Sequence, residues 1–261
     1  TKPFQFFSDL LTAASLDTLT PESTTPLHIS NTILPANVPR DTYTAWVPFS
    51  YVKEIRDACG NGATINDIIL TAFCGAIRVY AEKKGKGIDE KTFMRAMCAF
   101  SLPDRGQKDT PDLYNDFIMP SMPLPITISD RSERLNAVQH IMATVKTSMV
   151  GVIQAKFVEL LGNLGLDALI TSTQVEVFKK HSFVYSNVPC YEKPVLVYGK
   201  EAQRFACYYP NMISQTIFLT YRGELSFSLA SDPGQLADSS VLVNGFVDEI
   251  VNWHQQICVK K

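Results

Sequence analysis

The side chains best suited to acid–base chemistry are four histidines, His28, His140, His181 and His254, and no two are adjacent. A general base has to reach the proton it takes, so motif context matters more than count. None of the four lies in a G-x-S-x-G elbow, an H-E-x-x-H helix or a phosphate-binding loop. His28 falls in an irregular arm, His140 beside the apolar face of a helix and His254 near the C-terminus, where packed or solvated rings are expected. His181 leads into a strand that carries Ser186, and a structural role is expected there as well. No residue of the chain is therefore assigned as catalytic.

Six cysteines, Cys59, Cys74, Cys98, Cys190, Cys207 and Cys258, form no C-x-x-C pair and read as buried, reduced thiols. No Cys/His cluster of the kind a zinc site needs is visible along the chain. Three polar pairs or singles remain. Thr64 to Asp67 spells a capping box, T-x-x-D, and Asn66-Asp67 sits inside it. The pair either serves the helix start alone, or pins that start and thereby shapes an adjoining cleft. A direct general-base role for Asp67 is disfavoured, because backbone N–H groups at a cap hold the carboxylate charged. Ser186-Asn187-Val188-Pro189 ends a strand, where Pro189 stops pairing. Arg105 leaves a strand into a long loop, a place for a solvated arginine or for a clamp on a phosphate or carboxylate.

These residues need elements to hold them. Residues 1–46 are punctuated by Pro21, Pro26, Pro35 and Pro39 and read as an irregular arm or interdomain linker; residues 47–261 read as the folded domain. Ser50 is expected to cap a short helix that buries Val52 and Ile55 and closes at Gly60. Thr64 opens a longer helix with Ile68, Ile69, Ala72, Phe73, Ala76 and Ile77 along it. Thr92–Phe100 reads as a strand, and 118–128, with three prolines, as an extended edge. Helices are expected over 132–149, 154–177 and 238–258. The last third is strand-rich: 183–188, 195–198, 203–209, 214–221 and 224–230, the final two joined by an Arg222-Gly223 turn. The order indicates an α/β layered sandwich, with a mixed, largely antiparallel sheet and helices packed on one face.

Composition bounds the function. The chain has 261 residues and a formal net charge of -2, which offers no electrostatic drive toward a nucleic-acid backbone. Hydrophobic residues make up 46%, so a large core can form. No apolar run is expected to span a membrane, and Thr1–Leu11 lacks the order of a secretory signal. The chain reads as a fragment or a processed product.

Taken in order, the motifs resemble the C-terminal domain of the wax ester synthase/diacylglycerol acyltransferase family. Thr64-Ile-Asn-Asp-Ile-Ile-Leu-Thr-Ala is similar to its N-D-V helix start, and Ala99-Phe-Ser-Leu-Pro-Asp-Arg105 to its P-V-S-x-R strand end. Asn115 with the later Leu124-Pro125 resembles G-N…L-P, and Arg134-Leu135 to Lys146 resembles R-L…K. Ser186-Asn187-Val188-Pro189 matches S-N-V-P-G up to Cys190, which stands where the family prefers glycine. Tyr221-Arg-Gly-Glu-Leu-Ser-Phe and Asp232-Pro233 resemble the closing hairpin and D-P turn. The resemblance implies half of a fold like the CoA-dependent acyltransferases. It implies transfer of a fatty acyl group from acyl-CoA to a long-chain alcohol or diacylglycerol, with acyl-CoA as substrate and no resident cofactor. It implies that Asn66, Asp67, Arg105, Asn115, Ser186 and Asn187 bind substrate or shape its channel. The family's H-H-x-x-x-D-G motif lies on an N-terminal domain, and nothing in this chain matches it.

Three functions follow. Either this is the C-terminal domain of an acyltransferase, facing a catalytic N-terminal domain of the same protein or another protein, or it is an inactive acyltransferase-like scaffold or accessory subunit; a lipid- or CoA-binding module without turnover is the weaker third. The reduced thiols point to a cytoplasmic protein, and the resemblance adds, as an open alternative, peripheral association with the endoplasmic reticulum membrane or a lipid droplet.

Overall fold

A computed structural model describes residues 39–85, 87–101, 117–148, 150–189 and 192–259. Its centre is a six-stranded sheet. The strands are β1 (Asp41–Pro48), β2 (Met94–Cys98), β5 (Ser121–Leu124), β6 (Phe183–Pro189), β9 (Ser214–Tyr221) and β10 (Glu224–Ser231), ordered β1-β10-β9-β6-β2-β5. β6 runs parallel to both β2 and β9, and the other neighbours are antiparallel. The short pairs β3 (Phe100–Ser101) with β4 (Phe117–Ile118), and β7 (Leu196–Val197) with β8 (Lys200–Glu201), lie apart from it. The mixed α/β layering matches the sequence expectation.

The helices are α1 (Phe49–Cys59), α2 (Ile65–Lys83), α3 (Arg131–Thr147), α4 (Val150–Asn163), α5 (Asp167–Phe178) and α6 (Ser239–His254). α2 is the central one, apolar around most of its circumference, and a helix of that kind has to be enclosed. Its Phe73 meets Phe183, Phe218 and Phe227 edge-on, with ring centroids 5.4, 5.7 and 5.7 Å away. Residues alternate across a strand, so Phe183, Phe218, Phe227 and their i±2 neighbours form the inner face of the sheet. α6 crosses α2 where Gly245 lies against Ala76.

Several boundaries differ from expectation. Residues 41–46, expected to be irregular, form most of β1, paired with β10 from Asp41↔Ser231 to Pro48↔Glu224. The prolines upstream masked a stretch, Thr42 to Val47, whose alternation already suited a strand. Ser50 does not cap α1, which starts one residue earlier after Pro48. The first helical N–H, at Phe49, is instead taken by the Gly223 carbonyl at 2.8 Å. Residues 203–209 are not a strand. They lie over the outer face, where Arg204 stacks on Trp46 and pairs with Glu224, and Phe205 packs on Tyr221. The closing helix stops at His254 and continues as a π-turn, Gln255–Val259.

The prolines of the 118–128 stretch do place it at an edge, since β5 pairs only with β2. Arg222 and Gly223 both adopt positive φ, 47° and 79°, as a two-residue hairpin turn demands. The stretch Arg131–Asn163 corrects one expectation: it holds an 18-residue window of mean hydropathy 1.2, long and apolar enough to cross a membrane by length and composition. It is nevertheless broken at Ser148, whose ψ of 137° ends α3. α3 moreover carries Arg134 into the protein core, 2% exposed. What lies open is the α4–α5 hairpin, with Phe157, Leu160, Leu164 and Leu169 each half-exposed or more.

Candidate functional site

The site is built where α2 begins and β6 ends. Thr64 accepts from the Asp67 N–H at 3.3 Å, and the Asp67 carboxylate accepts from the Thr64 N–H at 2.8 Å, completing the capping box read from sequence. The box turns Asn66 toward the sheet. There the Asn187 side-chain amide donates to the Asn66 side-chain carbonyl, a contact spanning 121 residues of sequence. Asn66, Asp67 and Asn187 are thus one junction. Ser186 is not part of it: neighbouring strand residues point to opposite faces, and Asn187 faces the helices. Arg105 and Asn115 lie outside the described residues, as do His28 and Cys190.

Behind the junction is a polar seam that sequence reasoning missed. Asp67 and Thr71, four apart on α2, share a face, and Tyr185 is the strand residue two before Asn187. Asp67 Oδ1, Thr71 Oγ1 and Tyr185 Oη are buried with no hydrogen-bond partner among the described residues. Burial pushes the Tyr185 phenol well above its ordinary range, and Cys98, Cys74 and Asp67 add to the shift. A buried polar atom without a partner costs stability, and sites of function are where such costs persist. The only sequence signal was the polar interruption of an apolar helix at Asp67 and Thr71.

The junction fixes geometry and carries no described base or nucleophile. One Asp67 oxygen is committed to the cap. Cys74 and Cys98 are buried, and desolvation pushes both thiols up to about 12, far from a nucleophilic thiolate. Cys59 and Cys258 are half-buried and Cys207 is exposed, so the expectation of uniformly buried thiols fails for these three.

The described histidines are committed elsewhere. His181 is fully buried; its Nδ1 lies 2.7 Å from the Val177 carbonyl and its Nε2 2.8 Å from the Ser121 hydroxyl. A carbonyl only accepts, so Nδ1 carries the proton and Nε2 accepts from Ser121. Burial pushes the His181 pKa down to about 4, against the Val177 hydrogen bond, which raises it. His140 is exposed on α3. His254 stacks on Tyr51 and lies 2.6 Å from Glu54. Among the described residues, possible metal ligands gather only at Glu54, His254 and Cys258, none of them part of the junction.

A profile of the WS/DGAT C-terminal domain matches residues 114–252. Comparison with curated proteins gave no match. Among solved structures, the chain is similar to the wax ester synthase/diacylglycerol acyltransferase from Marinobacter aquaeolei VT8, at 16% identity and TM-score 0.62, over 98% of this chain and 57% of that one. The epimerization domain from the third module of tyrocidine synthetase B matches at 12% identity and TM-score 0.59, over 97% and 57%. Trichothecene 15-O-acetyltransferase from Fusarium sporotrichioides matches at 8% identity and TM-score 0.58, over 95% and 51%. At such identities the likeness is one of fold, and the chain spans little more than half the length of these structures.

Proposed function

Because this chain belongs to the WS/DGAT C-terminal domain family, we propose that it is the C-terminal domain of an O-acyltransferase that moves a fatty acyl group from acyl-CoA to a long-chain alcohol or diacylglycerol. The general base is supplied by a histidine of an N-terminal domain carrying H-H-x-x-x-D-G. The observation that carries this reading is the Asn66–Asn187 junction. It ties the capping-box helix to the S-N-V-P strand, two of the family-like motifs, at one end of the sheet. Every described histidine is packed away or on an unrelated surface, which supports a base contributed from outside this chain.

In the reaction, the base takes the acceptor hydroxyl proton as the oxygen attacks the thioester carbonyl, and CoA leaves as the thiol. This chain's part is positional. The junction walls the channel where acyl-CoA and acceptor meet, and the capping box holds that wall still. Acyl-CoA is consumed as substrate, and no resident cofactor is assigned. Acceptors of this class are apolar, and the open α4–α5 hairpin supports a partner surface that is apolar too, another protein or the rim of a lipid phase.

The junction supplies the test. In the intact protein, Asn187→Ala is expected to lower kcat/KM for acyl transfer about tenfold, the worth of one buried polar contact in the transition state. Melting temperature should change little, because Asn66 and Asn187 lie at the rim of the core. Unchanged transfer would remove the junction from the channel.

A further inference from the structure

The fold gathers a second group of residues at the C-terminal end of α6, where no motif was visible in the sequence. Glu54 lies on α1; His254 ends α6; Cys258 lies in the π-turn after it. One ligand atom from each, a carboxylate oxygen, an imidazole nitrogen and the thiol sulfur, lies within 4.8 Å of the other two. We propose that Glu54, His254 and Cys258 form a binding site for a divalent ion of the zinc class.

Three features support it. The donor set is oxygen, nitrogen and sulfur, the mixture that borderline ions such as zinc accept in tetrahedral sites. Tetrahedral bonds of about 2.0–2.3 Å put neighbouring ligand atoms roughly 3.5 Å apart. The three atoms can reach that spacing by small side-chain movements: Glu54 and His254, now 2.6 Å apart, would open slightly as the ion replaces the proton between them. The second feature is the fixed imidazole. The His254 ring stacks on Tyr51 with centroids 4.0 Å apart and planes 7° from parallel, which aims Nε2 at Glu54. A ligand held in place before binding loses less freedom on coordination. The third is the π-turn, Gln255–Val259, which continues α6 without a break. Residues four apart on a helix share a face, and this turn keeps Cys258 on the side of His254.

Three protein ligands leave the fourth position to water. On binding, the coordinating thiol gives its proton to solvent. The ion would then tie the C-terminal turn to α1 as a structural site. It does not depend on the function proposed above.

The probe is Co²⁺, a spectroscopic stand-in for zinc, titrated into the full-length protein after chelation. The expected result is one ion per chain and a near-ultraviolet thiolate-to-cobalt band that added Zn²⁺ abolishes. Cys258→Ser should remove the band and weaken binding at least tenfold. Glu54→Gln should weaken binding with the band retained, and Cys207→Ser, an exposed thiol outside the group, should change nothing. Glu54 and Cys258 are not core residues, so their variants are expected to fold. A titration with no saturable thiolate band, or a band that survives Cys258→Ser, would overturn the assignment and leave Glu54–His254 as an ordinary hydrogen-bonded pair.

Discussion

Arg134→Met is expected to destabilise the protein by about 3 kcal/mol, the lower end for breaking a buried ion pair. Arg134 is the anchor of α3. Its guanidinium donates to the Thr71 carbonyl at 3.1 Å, the Ile128 and Ser129 carbonyls at 3.0 and 3.1 Å, and the Glu249 carboxylate at 2.9 Å. Four groups from three parts of the chain thus depend on one side chain. Burial lowers the Arg134 pKa and the Glu249 charge raises it back. Methionine would fill most of the volume and satisfy none of the four. The loss stays near the lower end because Arg131 also pairs with Glu249.

The same ion pair explains a glycine. A Cβ on Gly75 would lie 1.9 Å from Glu249 Oε1 and 2.7 Å from an Arg134 terminal nitrogen. Those atoms are side-chain ends, so a Cβ would force them aside, and moving the Glu249 carboxylate would break its pairing with Arg134 and Arg131. Gly75→Ala should therefore cost about as much as Arg134→Met, and the two together less than their sum, since both break one interaction. Urea unfolding of the two single variants and the double variant measures this. A loss below about 1 kcal/mol for Arg134→Met would show that the pair is replaceable.

The second large effect is one of pH. His181 titrates at about 4 in the folded protein and at the ordinary 6.5 when exposed. Between those values the unfolded chain binds a proton that the folded one refuses, so stability rises with pH there. The contribution is fully present above pH 6.5 and is lost as pH falls toward 4. The gap corresponds to about 3 kcal/mol at most. Other groups titrate in the same range, so the informative quantity is the difference between the wild type and His181→Gln. The wild type should lose roughly that much more stability than the variant between neutral pH and pH 4. Parallel curves would mean that the imidazole is hydrated in the folded state.

Local chemistry was legible in the sequence, and long-range pairing was not. The Thr64–Asp67 box, the Arg222-Gly223 turn and the edge position of the proline-bearing strand each depend on residues a few positions apart. Each was found where expected. β1 was missed because prolines upstream drew attention from the alternation of Thr42 to Val47. Asn66–Asn187, Arg134–Glu249 and Glu54–His254 join residues 121, 115 and 200 positions apart, and only the topology decides that they meet. Ser186 and Asn187 look like one unit in the chain, yet the pleat sends them to opposite faces. Arg134 left a trace: it sits four residues before Val138, on the inward stripe of its helix, where a charge needs a partner.

The central claim is that this domain completes an acyltransferase whose base lies on another domain. The most direct measurement is ester formation from a long-chain acyl-CoA with a long-chain alcohol or diacylglycerol, comparing this chain alone with the intact protein that contains it. The account predicts ester from the intact protein and none from this chain alone, with transfer abolished when the second histidine of the upstream motif is replaced. Ester formed by this chain alone, or none formed by an intact protein that carries the motif, would contradict it.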